Sequence, residues 1–580
     1  MDPLASANAL LAGRRNEEAA QAFARLAIQA PGHPLVLLGL ATAQHRLGKK
    51  EAALANLAKV RPRAASDAVI AHNVAKFHLA ELDKRDEGLA MLREAHAKWP
   101  DDVPLRDDFI GVLSGLDAAG ETVDLGRAAL AKGPDSVNLR LALAAGLLQR
   151  GDAPGSTEIL RGALASWPTH VKVLESIARA SVYDPRADGA AVRLAHEAHA
   201  NAIRRHVPAN APLPAPSPGA RVLGVLSPDF KRHSVSHFSL PLITELAGRG
   251  WRVHCYYTTE SQDDVTARFK ALPVRFLDCP WMPPVELASR IRADGVGVLL
   301  DLAGLSAGHR LPALLLRPAP VQVNYLGYAA TSGAAEIGAR LVDALTDPEG
   351  SDTHGSERLV RLPGCFIAYG PPPHAPEPGP ASPGPFTFGS FNALLKLCDP
   401  TVDYWSEVLK AVPHARLLLK TGALSDPATR DYTRQRFEAR GVDGARLDLR
   451  GWADDTRHHL SLYDEVDLAL DPLTYHGTTT TCEALLMGVP TLTVPGGRHA
   501  SRVGASLMHA AGMPEWIAES PGAGVRVAVR AAAGGRRDLA ARAAVRHAFL
   551  ASPLANPASV ADPIDRALRD LGAQAGLAQG

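Results

Sequence analysis

The sequence predicts an α-helical repeat array followed by two α/β domains, each a parallel sheet covered by helices. Three observations lead there. Prolines recur about every 34 residues through the first third of the 580-residue chain, and two Pro-rich seams divide the rest. On either side of the second seam, short apolar runs alternate with helical stretches, the pattern of parallel sheets.

The repeat prolines are Pro31, Pro62, Pro100, Pro134 and Pro168, at intervals of 31, 38, 34 and 34. The last three share a context, Lys98-Trp99-Pro100-Asp101, Lys132-Gly133-Pro134-Asp135 and Ser166-Trp167-Pro168-Thr169. Ahead of Pro100 stand Gly88, Met91, Leu92 and Ala95, and ahead of Pro168 stand Ile159, Leu160, Ala163 and Leu164, small and large apolar residues at helical spacing. Gly48 and Gly151 fall where a tight turn joins two antiparallel helices. The interval of 38 reads as an insertion or a degenerate repeat. A helix-turn-helix of this period with a closing proline resembles the tetratricopeptide repeat, and residues 1–206 are expected to stack as its superhelix. A generic α-solenoid is the alternative. Such arrays bind extended peptides or other proteins, so a protein or peptide is the expected partner of this region.

The seams, at 207–219 and 370–385, carry too many prolines for a helix or a central strand and read as linkers or surface loops. They leave blocks at 220–369 and 386–580. In the first block, strands are expected at 221–226, 252–257, 296–302, 321–326 and 341–345, with helices at 237–247 and 284–292. In the second, strands are expected at 386–390, 415–419, 466–470 and 490–494, with helices at 402–411 and 480–487. Two such domains in series form a cleft outside the carboxyl ends of their strands, where ligands bind in this architecture.

Composition narrows the function. Hydrophobic residues at 46% and charged residues at 21% exclude wholesale disorder. Lys+Arg at 62 against Asp+Glu at 61 gives no electrostatic case for nucleic acid or an anionic membrane. Cys255, Cys279, Cys365, Cys398 and Cys482 contain no C-x-x-C pair, so neither a disulfide framework nor a zinc site is expected. The N-terminus has no basic-then-apolar leader, and the apolar run at 296–303 is short and broken by Asp301. A cytoplasmic location is the expectation.

Three segments carry chemistry. The sharpest is 471–490, DPLTYHGTTTTCEALLMGVP, in which an apolar strand runs into a Gly/Thr loop and a helix begins near Thr479. The first turn of a helix has free N–H groups and the positive end of the dipole. Gly477 lets the backbone approach a ligand, and Thr478, Thr479, Thr480 and Thr481 add hydroxyls, which together suit a diphosphate. Glu483, one turn on, is placed to accept from a ribose hydroxyl. An ordinary Thr N-cap accounts for only one of the four threonines. In the second, 390–399, SFNALLKLCD, Lys396 reads equally as a cation for a leaving diphosphate or as a surface lysine with a buried stem. In the third, 227–237, SPDFKRHSVSH, His233 and His237 stand four apart after a strand; a capping loop with a solvated histidine reads equally well. No third ligand makes a metal site there.

The segments LSPDFKRHSVSH, LRPAPVQVNYLGYAATSGA (316–334), SFNALLK, DPLTYHGTTTTCEALLMGVPTLTVPG (471–496) and ASRVGASL (500–507) together resemble the O-linked N-acetylglucosamine transferase family, which includes the plant SPINDLY proteins and bacterial homologues. The resemblance spans about 220–550, with the repeats N-terminal as in that family. It implies a GT-B glycosyltransferase fold, two Rossmann-like domains with the UDP-sugar held mainly by the second. By the same resemblance Lys396 contacts the diphosphate, His459 packs on the uracil, Thr479 and Thr480 bind phosphate and Glu483 holds the ribose. His233 lies near the acceptor as a general base, and Asp294 helps carry the proton away; Asp294 reads equally as a turn residue in Ala293-Asp294-Gly295. The substrate-binding set further takes in His237, Gly327, Tyr328, Ser332, Gly477 and Thr478. No metal is implied, and no Asp-x-Asp site stands out.

The sequence departs from the family at Ala393, where a glutamine is usual, at Thr456, where some members have lysine, and at Gly297, where some have histidine. The expected activity is inverting transfer of N-acetylglucosamine from UDP-GlcNAc to Ser/Thr hydroxyls of proteins. The alternatives are another nucleotide sugar, an Asn acceptor, or a repeat scaffold whose transferase half has decayed.

Overall fold

The computed structural model describes residues 2–116, 118–208, 221–380, 382–453 and 455–577. Beyond residue 208 the expected linker at 207–219 lies outside the described residues.

Helices fill the first third, from Pro3–Ala12 to Gly189–Arg204. They pair as the repeat spacing requires. Gly48 (φ 77°) turns between Pro34–Arg46 and Lys50–Val60, and Gly151 (φ 88°) between Val137–Gln149 and Ala153–Ser166; both are left-handed positions that favour glycine. Asp67, Asp102, Asp152 and Asp188 cap helices by accepting from the backbone amide three residues on. Pro62 breaks the period because Lys50–Val60 is short and closes on a 3-10 turn, Arg61–Ala65, that holds it.

The chain forms two compact units. One comprises 1–116 with 121–143, the other 117–120 with 144–580. The division therefore falls inside the helical array, not at the seam expected at 207–219. Packing explains why the last helices go with the second unit. Ala178, Val182, Val192, Ala200 and Ile203 share one apolar cluster with Val222, Leu226, Leu299 and Tyr328 of the first α/β block.

Within the second unit two parallel sheets follow. The first orders β3-β2-β1-β4-β5-β6-β7, with β1 Val222–Ser227, β2 Arg252–Tyr257, β3 Arg275–Asp278, β4 Val298–Asp301, β5 Val321–Asn324, β6 Ala339–Asp343 and β7 Arg358–Leu362. The second orders β10-β9-β8-β11-β12, with β8 Thr387–Ser390, β9 Arg416–Lys420, β10 Leu447–Arg450, β11 Leu468–Leu470 and β12 Thr491–Leu492. The central strands β1, β4, β5 and β8 are buried throughout, and β1 and β4 accordingly read as near-continuous apolar runs. The order reverses at β1 in one sheet and at β8 in the other, so crevices open beyond Ser227 and Ser390. The strand expected at 341–345 sits two residues earlier, because Asp343 ends it by accepting from the amides of Leu345 and Thr346.

Candidate active site

Loops leaving β1, β5, β8, β9, β10 and β11 at their carboxyl ends meet around a cavity of about 480 Å³. His233 comes from the loop after β1, Gly327 from that after β5, Lys396 from that after β8, and Lys420 and Trp452 from β9 and the loop after β10. Thr478, Thr479, Thr480, Glu483 and His459 complete the second-sheet wall. Tyr183, ending the helix Val171–Tyr183, stacks on Tyr475 at 5.1 Å and 8° and lines the same space.

The helix Thr479–Leu486 opens onto this cavity. Thr478 stands at its N-cap without a side-chain cap hydrogen bond. Among the described residues no acceptor takes the amides of Thr479 and Thr480. Thr480 Oγ1 instead donates to Asn392 Oδ1 at 3.2 Å, keeping the threonines off their own helix end. Asp471, just after β11, shapes the approach: its Oδ1 accepts from the Gly477 amide at 2.7 Å, and burial pushes its carboxyl up to about 7. A side chain at Gly477 would collide with the hydroxyls of Thr480 and Thr481, so the close turn requires glycine.

Lys396 ends a 3-10 turn, Leu394–Lys396, that aims it across the cavity floor. Its Nζ donates to Asn392 Oδ1 at 3.0 Å and to the His476 carbonyl at 2.9 Å, and lies 4.5 Å from the Tyr475 ring centre. Burial pulls this ammonium down to about 8, with Asp471 pulling the other way. A third donor position of the ammonium remains for a ligand.

His459 projects from the helix Thr456–Ser461, which Asp455 caps. Lys420 Nζ donates to His459 Nδ1 at 2.6 Å, so the ring proton sits on Nε2 and is donated to Glu483 Oε2 at 3.1 Å. Burial lowers the Lys420 ammonium, and Glu483 opposes that. The chain Lys420–His459–Glu483 holds an imidazole face and a carboxylate edge toward the cavity.

On the facing wall, His233 Nδ1 accepts the Val235 amide at 3.2 Å, whereas Asp229 Oδ2 lies 3.6 Å from the same nitrogen, beyond a hydrogen bond. A neutral ring so held carries its proton on Nε2 and presents a donor. Burial lowers the His233 imidazolium, with Asp229 opposing.

Four expected residues stand elsewhere. His237 lines a neighbouring cavity of about 690 Å³, stacks on Tyr369 at 5.2 Å and donates from Nδ1 to the Gly370 carbonyl at 3.2 Å. Tyr328 is buried with its hydroxyl 2.9 Å from His196 Nε2. Ser332 is buried, its amide and hydroxyl both given to Glu357. Asp294 follows the helix Pro284–Ala293, whose C-terminus lies at the amino edge of the first sheet, opposite the cavity. There it accepts from Tyr256, Arg275 and Arg290 at 2.8–3.0 Å. Its packing is that of a structural ion-pair cluster, away from the cavity. Of the departures, Ala393 lines the site, Thr456 lines the neighbouring cavity, and Gly297 donates to the Val222 carbonyl at the start of β1.

Sequence reasoning missed Tyr183, Asn392, Lys420, Trp452, Asp471 and Tyr475. Lys420 had a signal, a lysine closing the apolar run Leu417-Leu418-Leu419. Trp452, 73% exposed at the cavity mouth, had none.

Comparison with known proteins agrees with this geometry. A model of glycosyl transferase family 41 matches residues 206–370 and 383–562. The structure of a mutant O-GlcNAc transferase from Thermobaculum terrenum superposes with a TM-score of 0.77 at 29% identity, covering 88% of this chain and 99% of that one. A probable UDP-N-acetylglucosamine–peptide N-acetylglucosaminyltransferase SPINDLY of Arabidopsis thaliana is 35% identical over 361 residues, 60% of this chain and 39% of the relative. The SEC protein of the same plant, with the same probable activity in its name, is 29% identical over 304 residues, 50% of this chain and 31% of the relative. This chain thus spans well under half the length of those plant relatives. Two parallel-sheet domains in the GT-B arrangement follow the helical repeats, and the chain belongs to glycosyl transferase family 41.

Proposed function

We propose that the protein transfers N-acetylglucosamine from UDP-GlcNAc to Ser or Thr hydroxyls of a protein acceptor, with inversion and without a metal. One observation carries the reading: the opening turn of the helix Thr479–Leu486, its amides unengaged, faces the interdomain cavity beside Lys396. Amides at the positive end of a helix and a nearby ammonium match a diphosphate, and both gain strength as the departing UDP takes up charge. The names of the relatives support the donor and the peptide acceptor.

In this reading the uracil packs on His459, the ribose replaces the His459 contact at Glu483, and the diphosphate lies between Thr479, Thr480 and Lys396. The acceptor hydroxyl approaches from the His233 side, where Tyr183 brings the last repeat-type helices to the cavity edge. His233, holding Val235 at Nδ1, steers that hydroxyl from Nε2–H. Taking the proton at Nε2 requires the ring to give up the Val235 contact or move its own proton, so orientation is its role here, and the hydroxyl proton leaves on the departing diphosphate as the bond from the sugar to UDP breaks. The five cysteines, all free thiols, fit a reducing cytoplasm.

A second reading, another nucleotide sugar, is favoured by Ala393, which brings a methyl group to the cavity wall where the family supplies an amide. Calorimetry with UDP, then incubation with a donor panel and mass spectrometry of a peptide library, tests both. UDP binding with HexNAc on Ser/Thr peptides is the expected result. UDP binding with another sugar moves the assignment to the second reading, and absence of UDP binding ends both.

A further inference from the structure

Arg340, the second residue of the first sheet's β6, is 6% exposed, yet its guanidinium makes no hydrogen bond or ion pair among the described residues. A buried cation without a partner is costly, and native structures fill such a gap. Arg340 lines a small space of about 30 Å³. The same space is lined by Arg498, Asp347, Thr331 and His354, and by Gly189, the first residue of the helix Gly189–Arg204.

Three features say what fills it. Charge comes first: the lining holds two guanidiniums and one carboxylate. Arg498 is spent on the carbonyls of Ser181 and Asp184, and Asp347 on His499 Nδ1 at 2.5 Å. The lining alone thus keeps one positive charge over, and the Glu357 carboxylate behind it is already taken up by Thr331 and Ser332. The Arg340 field already reaches its surroundings: burial would raise the Asp347 carboxyl, but His499 and Arg340 together hold it well below its usual range. Size comes second: 30 Å³ takes one or two water-sized bodies, since each needs roughly 10–15 Å³, so a phosphoryl group is excluded. The helix is third: Gly189 presents the positive end of a 16-residue helix, and a side chain there would collide with the His354 ring. We propose that this cavity binds one halide-sized monovalent anion, chloride in solution, on Arg340. The anion ties the last repeat-type helix to β6 and to the 498–500 loop of the second α/β domain.

The test uses the full chain. Thermal unfolding is followed in sodium chloride and in sodium gluconate at equal ionic strength, gluconate being too large to enter. Chloride should raise the Tm of the wild-type protein by on the order of 2 °C over gluconate. Arg340→Met, which keeps the length and removes the charge, should lose that difference. Crystals grown in sodium bromide should show an anomalous peak beside the Arg340 guanidinium, and this readout stands if Arg340→Met fails to fold. Equal chloride dependence in wild type and variant, or a bromide crystal with only water in the cavity, would overturn the proposal.

Discussion

The two sheets face one cavity with unequal equipment. The second brings Lys396, Lys420, His459, Glu483 and an open helix end, all at the carboxyl ends of its strands. The first brings His233, Ser234, a glycine and apolar side chains, and uses other polar groups to hold itself together: Tyr328 on His196, Ser332 on Glu357, Asp294 on two arginines. The difference teaches how the work is divided. In the proposed reading a nucleotide diphosphate needs fixed charge and rigid donors, and one domain supplies nearly all of them. In the same reading the acceptor side is left with a steering group and room.

The largest effect that can break this division is at Lys396. Lys396→Met should lower transfer by about 10³-fold, in the range seen when a charge-stabilising donor is removed, with Tm and UDP-free structure retained. Near-normal turnover would show that the second sheet's cation is not what stabilises the departing UDP. His233→Gln comes next. It should cut transfer by roughly 10²-fold, the scale of a lost positioning or proton-transfer group, and leave the UDP Kd unchanged in calorimetry. A matching loss of UDP affinity would mean that the first sheet also grips the nucleotide.

Acidity sharpens the comparison further. Burial sets the Lys396 ammonium at about 8 in the free protein, and a bound diphosphate raises it. Below pH 8 the Lys396 charge is already present and adds no pH dependence to UDP affinity. Above pH 8 binding must take up a proton, so affinity falls toward about tenfold per pH unit. Titrations at pH 7 and 9 in buffers of different ionisation heat read the proton uptake directly. A flat profile to pH 9.5 contradicts the assignment.

The same asymmetry decided what the sequence could tell. The helix start at the cavity was legible because Gly477 and four threonines there are a poor run for a helix. The buried central strands β1 and β4 were legible as apolar runs. The edge strands β3, β7 and β10 were not, because charged residues interrupt Arg275-Phe276-Leu277-Asp278, Arg358-Leu359-Val360-Arg361-Leu362 and Leu447-Asp448-Leu449-Arg450 and leave no apolar run. The period of 34 gave the helix pairs, and the 31 and 38 intervals were one displaced proline, Pro62, in a 3-10 turn. Tyr183, Tyr475 and Trp452 escaped because an aromatic beside a cleft has the same local pattern as one in a core. Tyr328 and Ser332 were placed at the site by resemblance, and only their partners, His196 and Glu357, reveal that they brace the loop behind Gly327.

Asp294 gives the smallest effect and the cleanest control. Its side chain is 7% exposed, but Arg275 and Arg290 are 50% and 35% exposed, so solvent screens much of the attraction. Asp294→Asn keeps the shape, leaves two guanidiniums without their carboxylate, and should cost about 1–2 kcal/mol of stability. Because the cluster sits at the amino edge of the sheet, UDP Kd and turnover at a permissive temperature should stay within about twofold of wild type. A proton-carrying role at the acceptor predicts the reverse pattern, a large fall in kcat at unchanged Tm. Measuring both in one variant therefore separates a residue that holds the first sheet together from one that serves the reaction. If kcat falls alone, the first sheet contributes more chemistry than its geometry assigns to it.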